Sequence, residues 1–251
     1  MNRRNYFREN RIAVQKGILE SGFLQPLTED DLPWRVCESN KEALLKEVII
    51  EGIPADEDGI RPKSWILSLE IDKSVFGSPQ HTKTTESALI LLGSKSLLIF
   101  MIELKSHLQP FKGSTLDSVK SKFEDTIGRI SMLLPTYIFE KEFDNFPILY
   151  KGIICYHNDK DVIEQGKKDP NFAKKDIVKA LVAKKGIIQL NDVFKGIHQV
   201  EIYFFKKPDS KATSFSIDFK DFFMENKEYK SALDGDMTCP VLPILPPLRN
   251  F

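Results

Sequence analysis

The chain has 251 residues, 41% of them hydrophobic and 29% charged, enough to bury one sizeable core in one large domain with appendages. Thirty-six Lys+Arg balance thirty-six Asp+Glu, which argues against a protein that coats nucleic acid non-specifically, though not against a local basic groove. Cys37, Cys155 and Cys239 are scattered and form no CxxC pair, which excludes a signalled zinc site or disulfide framework.

The opening MNRRNYFREN lacks the apolar core of a secretory signal. No apolar run reaches the ~20 residues of a membrane span, so no membrane partner is expected and a cytoplasmic location is the default.

In chain order, residues 3–20 read as a helix with Arg3, Arg4, Arg8 and Arg11 in its first half. These arginines suit either phosphate contact or a plain solvated face. Residues 22–35 hold Pro26 and Pro33 and read as a loop anchored by Trp34. Residues 39–50 read as a helix, with Glu42 three after Ser39 as in a capping box. The stretch 64–72 (SWILSLEID) reads as a strand ending at Asp72. Two apolar runs follow, Ser87 to Leu92 and Leu97 to Lys105, joined by a short Gly-Ser-Lys-Ser turn, a hairpin signal.

Beyond Pro110 and Gly113, Leu116, Val119, Phe123, Ile127 and Ile130 recur at three- and four-residue steps. That is an amphipathic helix, with Ser114 or Thr115 as cap and Pro135 as its expected end. Residues 147–156 read as a core strand, which makes the helix a crossover able to set two strands parallel. Residues 158–176 read as loop, 177–184 as a short helix, 187–190 and 199–206 as strands, and 218–233 as a helix. The last residues, CPVLPILPPLRNF, alternate proline with large aliphatics and form neither helix nor central strand. This apolar arm lies across its own domain or docks on a partner.

The predicted fold class is α/β: a mixed central sheet with helices on both faces. The predicted organisation is a helical extension over 1–35, the α/β domain over 36–233 and a Pro-rich arm over 234–251.

The chemistry concentrates at the end of the hairpin. Side chains of a strand alternate faces, so Glu103 and Lys105 share one side and Leu104 takes the other. Burying a charge costs several kcal/mol unless it is paired or metal-bound, so an acid and a lysine at the mouth of a core strand ask for a reason. Mg²⁺ or Mn²⁺ would supply one, since such ions take one or two carboxylates plus waters. Antiparallel pairing, if its turn is centred near Ser94, puts Glu86 opposite the neighbourhood of Glu103; Asp72 is the competing second carboxylate, and the backbone carbonyl of Leu104 could add a further oxygen ligand. Lys105 can orient or help deprotonate a water and offset developing charge. His107, two beyond Lys105, is a candidate phosphate contact or a solvent-facing histidine.

An acid, a hydrophobic hairpin closing on Met101-Ile102-Glu103-Leu104-Lys105, and then an amphipathic helix resemble the PD-(D/E)xK nuclease superfamily, with its restriction-endonuclease-like core, over roughly residues 40–156. The opening half here is Glu86-Ser87-Ala88-Leu89, a glutamate where the family carries an aspartate, which keeps Asp72 in play. The resemblance implies a metal-dependent endonuclease acting on DNA, of the kind used in restriction or other prokaryotic defence, with a homodimer as a candidate assembly. It also implies an assisting glutamate on a first helix, here Glu42 or Glu47, and a nucleic-acid-facing residue on the following helix, here Lys122 or Lys120. The rival expectation is a non-catalytic nucleic-acid-binding or assembly module in which Glu103 and Lys105 form only a strand-end ion pair.

Overall fold

The computed structural model describes residues 24–28, 32–53, 64–68, 84–92, 97–110, 115–137, 148–191, 196–208 and 211–219. The arginine-rich segment 3–20, Asp72 and the Pro-rich arm lie outside them.

The strands are β1 (Leu24–Pro26), β2 (Trp34–Cys37), β3 (Glu47–Glu51), β4 (Ser64–Ser68), β5 (Ser87–Leu92), β6 (Leu97–His107), β7 (Ile148–Asn158), β8 (Lys185–Asn191), β9 (Ile197–Lys206) and β10 (Ser214–Asp218). The helices are α1 (Thr115–Tyr137), α2 (Lys160–Lys168), α3 (Pro170–Ala173) and α4 (Asp176–Ala183).

Seven strands form a mixed sheet in the order β1-β4-β5-β6-β7-β9-β8. Strands β4, β5 and β6 are successively antiparallel, whereas β6, β7 and β9 run parallel. The crossover from β6 to β7 is α1, as its apolar spacing predicts: Leu116, Val119, Phe123, Ile127 and Ile130 are all buried. The helix runs two residues past Pro135, its expected end. Phe123 packs so closely on the sheet that a Cβ at Gly152 of β7 would come within 3.1 Å of its ring.

Alternation along β6 divides the core. Leu97, Ile99 and Met101 join a cluster with α1, α2 and α4, and Leu98, Phe100, Ile102 and Leu104 join one on the opposite face. That opposite face does not carry the expected helices among the described residues. It is covered by a second sheet in the order β10-β3-β2, whose Val36, Val48, Ile50 and Ile217 enter the same cluster.

The helix expected over 39–50 is therefore not formed. Its polar residues make local turns instead: Asn40 N donates to Glu38 Oε1, and Glu42 N donates to Asn40 Oδ1. Leu44 N is taken by Ser106 Oγ, and the apolar run continues as β3, parallel to β10 from the far end of the chain. Side chains such as Asn40 compete with the helical ladder for backbone amides, and Val48, Ile49 and Ile50 are β-branched. Trp34, expected in a loop, is buried in β2.

The loop expected over 158–176 is instead α2 and α3. Asp169 caps α3 by accepting from Asn171 N and Phe172 N, with Pro170 at its first position. Only Val162 and Phe172 of these two helices are buried, so a largely polar surface hid a helical period.

Candidate functional site

Strands β5 and β6 pair so that Ser87 faces Ile102, and Glu86 N donates to Ile102 O at 3.1 Å. This is the register expected for a turn centred near Ser94, and it leaves Glu86 at the level of Glu103. Both acids are buried, Glu103 completely and Glu86 to 6% exposure. They open on the α1 side of the sheet, whereas Leu104 packs into the opposite cluster.

Lys122 comes down from α1 between the acids. Its Nζ lies 2.9 Å from Glu86 Oε1 and 2.8 Å from Glu103 Oε1. Lys105 also pairs with Glu103 Oε1, and both lysine side chains are 14% exposed. Two carboxylates and two ammoniums thus converge at the point where the parallel strands end. Glu103 Oε2 accepts no hydrogen bond among the described residues.

The electrostatics follow from burial. Loss of solvent, and then the charge of Glu103 alongside, push the Glu86 carboxyl up to about 8, against the pull of Lys122. Burial alone would lower the Lys122 ammonium, but the charges of Glu103 and Glu86 outweigh it and hold the amine charged above its ordinary range. Desolvation outweighs the pull of Lys122, so the Glu86 carboxyl retains a proton well above the usual carboxylate range.

A second tie positions Glu86. Thr126 lies one turn beyond Lys122 on α1 and is fully buried. Its Oγ1 accepts from Thr85 N at 3.0 Å and lies 3.2 Å from Thr85 Oγ1. The same face of α1 therefore holds the Glu86 side chain through Lys122 and the preceding backbone through Thr126. The available signal was a threonine among Val119, Phe123, Ile127 and Ile130 on an otherwise apolar face.

Other predicted residues stand elsewhere. Lys120 is two residues from Lys122, about 200° around the helix, and its Nζ lies 4.0 Å from Glu124 Oε1. His107 is exposed at the end of β6, with Nδ1 3.5 Å from Asn158 Nδ2, and does not touch the acids. Glu42 is exposed in a turn, and Glu47 in β3 pairs with Arg35 at 3.0 Å, so no first-helix glutamate comes from this segment. Asp72 lies outside the described residues.

The donor set fits a hard divalent cation. A single positive group already sits within 3 Å of oxygens from both acids, and Glu103 retains an oxygen without a donor. No group of three or more His, Cys, Asp or Glu gathers among the described residues. Two carboxylates, completed by water and a backbone carbonyl, suit Mg²⁺ or Mn²⁺ rather than an all-protein cage.

No helix among the described residues is long and apolar enough to cross a membrane. Compared with known proteins, the chain matches no family model, no curated protein and no solved structure at a significant level.

Proposed function

We propose that the chain is a metal-dependent endonuclease that hydrolyses phosphodiester bonds of DNA, with Glu86 and Glu103 as the carboxylate ligands of Mg²⁺ or Mn²⁺. The observation that carries this reading is the meeting of Glu86, Glu103, Lys105 and Lys122 at one mouth of the sheet, with both acids buried. Structural charge pairs rarely place two carboxylates side by side in a core, because each costs several kcal/mol to desolvate. The hairpin of β5 and β6, ending in Glu103-Leu104-Lys105 and followed by α1 as crossover to the parallel β7, supports this reading, since it is on this succession that the resemblance rests.

When bound, the cation would polarise the phosphoryl group and acidify a water. Glu86 and Glu103 would hold it, with the Leu104 carbonyl as a candidate further oxygen. Lys105, fixed against Glu103, orients the attacking water and offsets charge building on the phosphoryl oxygens. Lys122 holds the acids together in the metal-free protein and competes with a cation for them; once displaced, its ammonium can meet a substrate phosphate.

The second reading, a non-catalytic nucleic-acid-binding or assembly module, draws on the same lysine. Lys122 neutralises the acids without any ion, as a purely structural network would.

Incubation of supercoiled plasmid with protein and Mg²⁺ or Mn²⁺ tests the proposal. Wild type should nick and linearise the plasmid, and Lys105→Ala should slow cutting by about 10²–10³-fold. Absence of cutting by wild type, or equal cutting by the variant, overturns it. Calorimetry showing no uptake of either ion at millimolar level favours the second reading.

A further inference from the structure

A second polar cluster adjoins the first on the same face of the sheet. Lys105, Tyr156 and Lys206 are register partners on β6, β7 and β9, three neighbouring parallel strands. Partners in register project to the same side, so these residues form a row across the C-terminal ends of the strands. Two strand spacings separate Lys105 from Lys206, about 10 Å, which matches roughly three axial steps of ~3.4 Å along one strand of a duplex.

The Tyr156 ring is buried, and its hydroxyl donates to Asp159 Oδ2 at 3.1 Å while accepting from Lys184 Nζ at 2.6 Å. Lys206 Nζ lies 2.7 Å from Asp159 Oδ1, and Lys184 Nζ lies 3.7 Å from Oδ2. One buried carboxylate thus holds two ammoniums whose side chains remain about half exposed, at 48% for Lys206 and 52% for Lys184. Burial would raise the Asp159 carboxyl, but the hydrogen bonds from Lys206 and Tyr156 and the two lysine charges bring it below its ordinary range. The cluster therefore keeps an excess positive charge facing solvent.

Lys184 carries a further mark. It ends α4 in the left-handed conformation, φ 64°, which favours glycine. A lysine there gives up backbone ease and sets its ammonium over the Tyr156 ring, 5.3 Å from the centroid.

We propose that Lys184 and Lys206, spaced by Asp159 and Tyr156, form a binding subsite for backbone phosphates of the nucleic acid flanking the cleaved bond. This rests on the nuclease reading and adds the second contact region that the acid pair lacks. Lysine ammoniums held apart by a carboxylate and a hydroxyl suit a row of phosphates, to which they offer point charge without reading bases. Tyr156 and Asp159 are positioning residues; the lysines make the contact.

The test is fluorescence anisotropy of a labelled DNA duplex in Ca²⁺ across a salt series, on the full chain. Lys184→Gly removes the ammonium and suits the backbone. Combined with Lys206→Gln it should reduce the slope of log affinity against log salt by about two, roughly one per lost phosphate contact. Tyr156→Phe should leave the slope unchanged and weaken binding about threefold. Lys179→Gln, on the exposed surface of α4, should change neither. An unchanged slope in the double variant overturns the subsite while plasmid cutting leaves the nuclease reading intact. An equal loss in Lys179→Gln reduces the effect to overall charge and also overturns it. Failure of wild type to bind duplex overturns subsite and nuclease reading together. Thermal melts of each variant separate misfolding from lost contact, and either single lysine variant carries the test if the double one unfolds.

Discussion

Glu86 and Glu103 stand at the same level of two neighbouring antiparallel strands and share a single ammonium, that of Lys122, at 2.9 and 2.8 Å. The acids arrive by backbone pairing and the lysine by helix packing. The pair is consequently sensitive to changes in either the sheet or the helix, and it is the relationship from which most expectations about this protein follow.

Replacing Lys122 by methionine keeps most of the apolar stem and deletes the shared charge. Breaking a buried ion pair from one side costs about 3–5 kcal/mol, so the metal-free variant should melt well below wild type. Mg²⁺ or Mn²⁺ should raise the melting temperature of the variant more than that of wild type, because the ion no longer competes with an ammonium. Scanning calorimetry with and without the ion measures both effects; equal shifts in the two proteins would show that the acids bind no cation.

The proton on Glu86 sets a pH dependence with an unusual sign. Its folded value of about 8 lies above the ordinary 4.5, so the native state binds more protons between those limits. The stability this contributes is fully present below about 4.5 and is lost as pH rises through about 8. Urea unfolding of metal-free protein should give a stability lower by about 1–3 kcal/mol at pH 9 than at pH 6 from this group. Glu86→Gln should remove most of that difference. Metal affinity should run the other way and strengthen as pH approaches 8, because the ion must displace this proton.

Thr126→Val leaves Thr85 N buried without its acceptor, at a cost of about 1–3 kcal/mol. Thr126→Ser retains the oxygen and should recover most of the loss. If Thr126 also positions Glu86, the valine variant should bind Mn²⁺ several-fold more weakly than the serine variant, which calorimetric titration would detect. Equal affinities would reduce the threonine to a structural tie.

Gly152→Val tests the packing that carries Lys122. Even a Cβ at this position would meet Phe123 at 3.1 Å and Ile202 at 3.2 Å. Overpacking at such a contact costs about 1–3 kcal/mol. Because Phe123 follows Lys122 on α1, the displaced helix should also weaken cation uptake, whereas Gly166→Ala, with its nearest neighbour at 3.9 Å, should affect neither measurement.

What the amino-acid order determined by itself is whatever depends on local period and simple counting. Alternation along β6 put Glu103 and Lys105 on one face and Leu104 on the other. A short turn made Glu86 and Glu103 equidistant from its centre and hence neighbours, and the three-four spacing of Leu116 to Ile130 made α1 and its buried side evident. Long-range pairing alone decided the rest. The segment 47–51 is a strand because residues 214–218 lie beside it, and a parallel partner so distant in the chain leaves no local signature. Lys122 rather than Lys120 reaches the acids because of how α1 is rotated against the sheet, which the apolar stripe brackets only to within a residue or two. Tyr156 with Asp159, Lys184 and Lys206 come from three separate segments and become one cluster only when β7, α4 and β9 pack, since charge and hydroxyl groups carry no periodicity that would announce their meeting.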